Sequence, residues 1–195
     1  MGRCRPLSTD ESESMKAHCH TPRDRAILSF FERTGYRANE TASLKIKDIW
    51  DGHQIRDRVQ VQAKHMKKKV GRRPIPIHSE LRQALVCWLM QLQQSELLRP
   101  DTPLWLSRKH RSKMFGWARE SLWRVIKGIA LKAGITGHIG CHSFRKTLAL
   151  RAWEASGHNI LKVKEVLGHR EVSSTQHYLE GAFEDAEIDA LFLTA

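Results

Sequence analysis

The stretch LGHREVSSTQHYLE, from Leu167 to Glu180, places Tyr178 nine residues after His169, a histidine that directly follows a glycine. Upstream, HSFR sets His142 three residues before Arg145, and TGYRANE sets Arg37 between a helix stop at Gly35 and the head of a further helix. At that spacing His142 and Arg145 share one helical face. Residues of these types can hold an anion, move a proton and supply a hydroxyl nucleophile. Each also has an ordinary structural reading. His169 would complement the dipole of the helix ending before it, Tyr178 would pack as a core aromatic, and an arginine beside a helix end is usually a surface residue. Ser173, Ser174, Thr175 and Gln176 suit a polar, mobile turn, which weighs against a Tyr178 that is merely packed.

The charge of the chain points to the class of partner. Lys and Arg number 33 against 21 Asp and Glu, and five of those acids fall in residues 179 to 195, where there is no basic residue. The first 178 residues therefore carry 33 basic against 16 acidic side chains, a net +17. Excess positive charge of that size favours a polyanion, because each phosphate met by Lys or Arg releases condensed counterions. The plainer reading is a solubilising surface charge.

A chain of 195 residues suits one domain with short extensions. Residues 1–20 are polar without apolar periodicity and read as an N-terminal tail. Thr21-Pro22-Arg23-Asp24 then starts a helix, with Thr21 as N-cap and Pro22 at the first helical position; Ala26, Ile27, Phe30 and Phe31 supply its buried face and Gly35 its stop. A short helix follows from about Ala38 to Leu44, with Glu40 in its first turn. IRDRVQVQA, from Ile55 to Ala63, alternates as a strand, KKKVGRR is a basic turn around Gly71, and PIPIH is a second strand that Pro74 and Pro76 confine to an edge. Helical spacing returns from Leu81 to Leu92 and from Leu122 to Ala133, with LWL at 104–106 as a short strand between them. Helices over His142–Ser156 and Ile160–Leu167 end at Gly157 and Gly168. The fold class is α+β, mainly α, with one small antiparallel sheet.

Cys4, Cys19, Cys87 and Cys141 form no C-x-x-C pair, so they read as free thiols of a reducing compartment. His18-Cys19-His20 lacks a second ligand pair and belongs with the tail rather than with a metal. The longest strongly apolar run, Ala84 to Met90, is far too short to span a bilayer, and no secretory apolar segment is present. A cytoplasmic protein with no membrane contact is the expectation, nucleoid-associated if bacterial.

Taken together and in order, these motifs resemble the tyrosine recombinase (phage integrase) family. TGYRANE with Arg37 and Glu40, the hairpin lysines, HSFRKT with His142 and Arg145, LGH with His169, and Tyr178 match the family pattern across about residues 21 to 180. IGC stands before His142 where the family often has Thr-Pro. Residues 1–20 cannot supply the helical DNA-clamping domain that usually precedes the catalytic one, so the chain reads as a catalytic-domain fragment or as a compact recombinase like those of fimbrial phase switching.

The resemblance implies an integrase-type catalytic domain over residues 21–179, with Tyr178 attacking the scissile phosphorus to leave a 3′-phosphotyrosyl enzyme and a free 5′-hydroxyl. A phenol suits this step, since its pKa near 10 makes it a better leaving group than an alkyl alcohol when the strand is resealed. Arg37 and Arg145 would stabilise the non-bridging oxygens, His169 would donate to one of them, and His142 would relay the tyrosine proton. A hairpin lysine would protonate the leaving 5′-oxygen: family spacing back from Pro76 favours Lys68 among Lys64, Lys67, Lys68 and Lys69, any of which can instead bind backbone phosphate. Lys64, Lys67, Lys69, Arg72 and Arg73 are the expected DNA contacts. No cofactor or metal is expected, because side-chain cations do this work and the sequence has no carboxylate cluster.

The expected activity is site-specific recombination: integration, excision or inversion. Type IB topoisomerase-like nicking and rejoining, or a non-catalytic DNA-binding module, are the alternatives. The expected partners are double-stranded DNA and other protomers, monomeric in free solution and tetrameric in a DNA-bound synapse. The acidic, apolar segment 180–195 is expected to form a helix that docks onto a neighbouring protomer.

Overall fold

The computed structural model describes residues 4–59, 61, 74–106 and 119–179. The basic hairpin turn, with Lys64, Lys67, Lys68, Lys69, Arg72 and Arg73, and the segment 180–195 lie outside the described residues.

The N-terminal residues differ from the tail expected of them. Thr9–Ala17 form a helix, α1, opened by a reciprocal cap in which Ser8 Oγ accepts from the Glu11 amide at 3.1 Å and the Ser8 amide donates to the Glu11 carboxylate at 3.0 Å. Leu7 and Met15 are buried in the main core, and the Leu7 amide donates to Thr147 Oγ1 at 2.8 Å. Two apolar anchors and a cap thus hold a segment whose composition is otherwise that of a tail. Lys16, buried in spite of its charge, meets Glu13, Glu80 and Glu32 at 3.0, 3.1 and 3.2 Å.

Pro22–Thr34 form α2, with Thr21 Oγ1 accepting from the Asp24 amide at 3.1 Å and Gly35 closing the helix in the left-handed conformation. Ala38–Ala42 form α3, Ile46–Asp48 a 3-10 turn and Ser79–Gln94 α4. Between them Arg58–Val59 (β1) pairs antiparallel with Ile75–Pro76 (β2), Arg58 opposite Pro76 and Val59 opposite Ile75. Ile55, Val59 and Val61 are all buried, the alternation expected of the first strand. LWL is not a strand: Pro103 makes an isolated bridge with Lys45, and Leu104 and Trp105 enter the core as single side chains. The Trp105 indole donates to Thr41 O at 2.8 Å, which seats α3 on this segment.

Arg119–Lys132 (α5), Cys141–Ala155 (α6), Ile160–Leu167 (α7) and Ser173–Leu179 (α8) complete the described elements. α2 is central, packing against α4, α5 and α6. A second, smaller apolar cluster of Ala149, Trp153, Val163, Leu167 and Leu179 joins α6, α7 and α8. The run Ser173–Gln176 is therefore helix rather than the expected turn, because Leu179 and the fully buried Thr175 give α8 a face to pack.

Candidate active site

Arg145 organises the site. It lies on α6 with 1% of its surface exposed, and its guanidinium draws together three segments distant in sequence. Nη1 donates to the carbonyl of Gly35 at 2.6 Å, and Nη2 donates to the carbonyl of Leu167, the last residue of α7. Nη2 also stands 3.0 Å from Nε2 of His169. Carbonyl acceptors orient a guanidinium without cancelling its charge, so the group remains a fixed cation.

Local sequence puts each of these partners in place. Gly35 and Gly168 both take positive φ, +57° and +62°, so each helix stops sharply and the chain turns toward Arg145. His169 follows the second stop, its amide donating to Lys164 O at 3.0 Å. Its imidazole is 8% exposed, with Nδ1 3.0 Å from Oγ1 of Thr175. Three residues on, the half-buried Tyr178 holds its ring centroid 5.2 Å from that of His169 and 5.5 Å from Cζ of Arg145. The chain has two tyrosines, and the other is built into the core: Tyr36 is buried, stacks on Phe30 and donates to Val59 O at 3.3 Å.

Arg37 enters from the opposite side of the Gly35 turn as the N-cap of α3. Its amide donates to the Glu40 carboxylate at 2.8 Å and its Nη1 to the other oxygen at 3.0 Å, so the nearly buried Glu40 fixes both backbone and guanidinium. His142, one turn before Arg145 on α6, is exposed as a residue, yet its ring is surrounded closely enough to lower its pKa below the ordinary 6.5. Lost hydration is the largest influence, and the charges of Arg145, Arg37 and Arg119 add to it. A neutral imidazole beside fixed guanidinium groups can accept a proton near neutral pH.

The structure thus brings Arg145, His169 and Tyr178 into contact and sets His142 within the electrostatic reach of both Arg145 and Arg37. Three contributors were not singled out from the sequence: the Gly35 carbonyl, Thr175 and Arg119. Thr175 stands among Ser and Thr residues that read as a turn, and Arg119 opens α5 with no motif around it. Among the described residues no group of three or more His, Cys, Asp or Glu is placed to hold a metal ion.

A model of the family described as the phage integrase family matches residues 5–185. The chain belongs to the phage integrase family. Tyrosine recombinase XerD of Listeria monocytogenes serotype 4b is 29% identical over 178 residues, covering 88% of this chain and 56% of the relative. XerD of Oceanobacillus iheyensis is 27% identical over 156 residues, covering 80% of this chain and 49% of the relative. The chain therefore spans about half the length of the curated relatives it matches. Among solved structures, XerA recombinase superposes with a TM-score of 0.73 at 22% identity, covering 100% of this chain and 64% of that one. The XerH recombinase bound to palindromic difH substrate, in a post-cleavage complex, gives 0.73 at 19% identity, covering 98% and 54%. At such identities the likeness is one of fold: a mainly helical integrase domain with a two-stranded antiparallel sheet. The family match begins inside the N-terminal segment read as a tail, in keeping with the packing of Leu7 and α1.

Proposed function

We propose that this integrase-family chain breaks and rejoins DNA as a site-specific recombinase, with Tyr178 as nucleophile. The observation that carries the reading is the convergence of Tyr178 and His169 on the buried, carbonyl-oriented Arg145. A cation fixed before the substrate arrives needs no reorganisation when charge develops, which is where electrostatic stabilisation is most effective.

In the proposed reaction the Tyr178 hydroxyl oxygen bonds to the scissile phosphorus while the bond from phosphorus to the 5′-oxygen breaks. The phenolic proton passes to His142, whose depressed pKa keeps it neutral and able to accept. The 5′-oxygen takes a proton from a hairpin lysine, Lys68 by family spacing. Arg37 and Arg145 bind the non-bridging oxygens that carry the transition-state charge. One phosphate ester replaces another, so the reverse step reseals DNA without ATP. The net +17 of residues 1–178 supplies the phosphate attraction that holds the duplex, with Lys64, Lys67, Lys69, Arg72 and Arg73 in the hairpin among its contacts. Strand exchange requires further protomers on paired sites, and the acidic segment 180–195 is the part proposed to join them.

The test is recovery of DNA joined to the protein. The chain is incubated with genomic DNA of its source, denatured, and the attached ends are sequenced. Wild type should yield adducts at a defined site, and Tyr178→Phe should bind DNA without forming them. Adducts that survive Tyr178→Phe would place the nucleophile elsewhere, and nicking without exchange between two sites would favour a topoisomerase-like activity.

A further inference from the structure

We propose that Thr175 is a positioning residue that fixes the protonation pattern of His169 and ties the helix of Tyr178 to it. An arginine nitrogen can only donate a hydrogen bond, and Nη2 of Arg145 lies 3.0 Å from Nε2 of His169. Nε2 must therefore accept, so a neutral His169 carries its proton on Nδ1 and, in the DNA-free chain, points that N–H at Thr175 rather than at a phosphate oxygen, the acceptor expected of it from the resemblance. That nitrogen is 3.0 Å from Oγ1 of Thr175, which takes the donated proton as a hydrogen bond. One direction of donation thus runs from Arg145 through His169 to Thr175.

Thr175 is suited to this by both halves of its side chain. It is 0% exposed, so its hydroxyl has no water to compete with the imidazole, and its methyl fills the face of α8 that packs inward. It precedes Tyr178 by three residues on the same helix, so the bond that sets the tautomer also anchors the tyrosine's helix beside His169. With Oγ1 gone, the buried Nδ1–H loses that hydrogen bond while Arg145 still donates to Nε2, so the ring is no longer held from both sides and carries its proton on Nε2 by turning away from Arg145. Serine keeps the hydroxyl and loses only the methyl.

The tautomer claim stands on geometry alone, whereas its consequence for rate rests on the strand-transfer reading above. The experiment is nitrogen-15 histidine NMR of the full chain without DNA, with the His169 signals assigned by their absence in His169→Ala. Wild type and Thr175→Ser should show the proton on Nδ1, and Thr175→Val should show it redistributed toward Nε2. An Nε2 proton in wild type, or an unchanged pattern in Thr175→Val, would overturn the proposal. In parallel, covalent-adduct formation should slow by about tenfold or more in Thr175→Val and recover in Thr175→Ser, by analogy with the loss when the partner orienting a metal-bound histidine is removed. A shifted tautomer with an unchanged adduct rate would overturn the positioning role. If wild type forms no adduct at all, the recombinase reading fails while the NMR result still decides the tautomer assignment.

Discussion

Gly35 lies so close to Leu148 that a Cβ added to the glycine would stand 2.5 Å from Leu148 Cδ2. The same glycine has a φ of +57° and lends its carbonyl to Arg145. One residue thus closes α2, admits α6 and orients the buried guanidinium.

Gly35→Ala should destabilise the fold by about 1–2 kcal/mol, chiefly through the left-handed backbone that an L side chain resists. The leucine contact adds less, because its far end can shift. Chemical denaturation measures the loss. Trimming the contact in Gly35→Ala/Leu148→Ala should not restore the stability of wild type, since the φ cost remains.

Arg145→Lys keeps the charge but loses the fork that reaches Gly35 O and Leu167 O together. We expect a stability loss on the order of 2–3 kcal/mol in urea, the size of losing charged hydrogen bonds in a buried place. Covalent-adduct formation should fall much further than that loss alone accounts for at a temperature where the variant is folded.

His142 should titrate below 6.5, its ordinary value. The sign follows from linkage: a base with a depressed folded pKa binds fewer protons folded than unfolded. Its contribution to stability is complete above the unfolded pKa and lost as the pH falls through 6.5 toward the folded value. Melting temperature followed over mildly acidic pH should therefore fall less steeply for His142→Gln than for wild type. A proton NMR titration of the His142 ring gives the direct value, and DNA phosphate should raise it.

Lys16→Met should be costly although lysine is ordinarily a surface residue. Lys16 is 7% exposed, and its removal takes from the 6% exposed Glu32 the ammonium 3.2 Å away and leaves it the more distant Arg151 Nη1 at 3.8 Å. Breaking a buried pair from one side costs about 3–5 kcal/mol. Lys16→Met/Glu32→Gln should recover much of that in thermal or urea unfolding, because the buried carboxylate is then removed together with its nearest ammonium.

Much of this was legible in the chain itself wherever the physics is local. Thr21 and Pro22 start α2 and Gly35 and Gly168 end their helices because capping and left-handed turns depend on a few adjacent residues. The order and spacing of Arg37, His142, Arg145, His169 and Tyr178 were likewise visible, and with them the family. Residues 8–11 also hold a cap signature, Ser8 with Glu11, but the polar composition around it reads as a tail. Only the assembled core supplies the pockets for Leu7 and Met15 and the carboxylates around Lys16. Thr175 reads as a turn residue for the same reason: its helix is marginal alone and forms by packing Leu179 against α6 and α7. Sequence determined which side chains are the candidates for the chemistry and in what order they stand. Tertiary structure alone decided which nitrogen of His169 faces Arg145, because that depends on groups brought together across the fold by packing rather than by spacing.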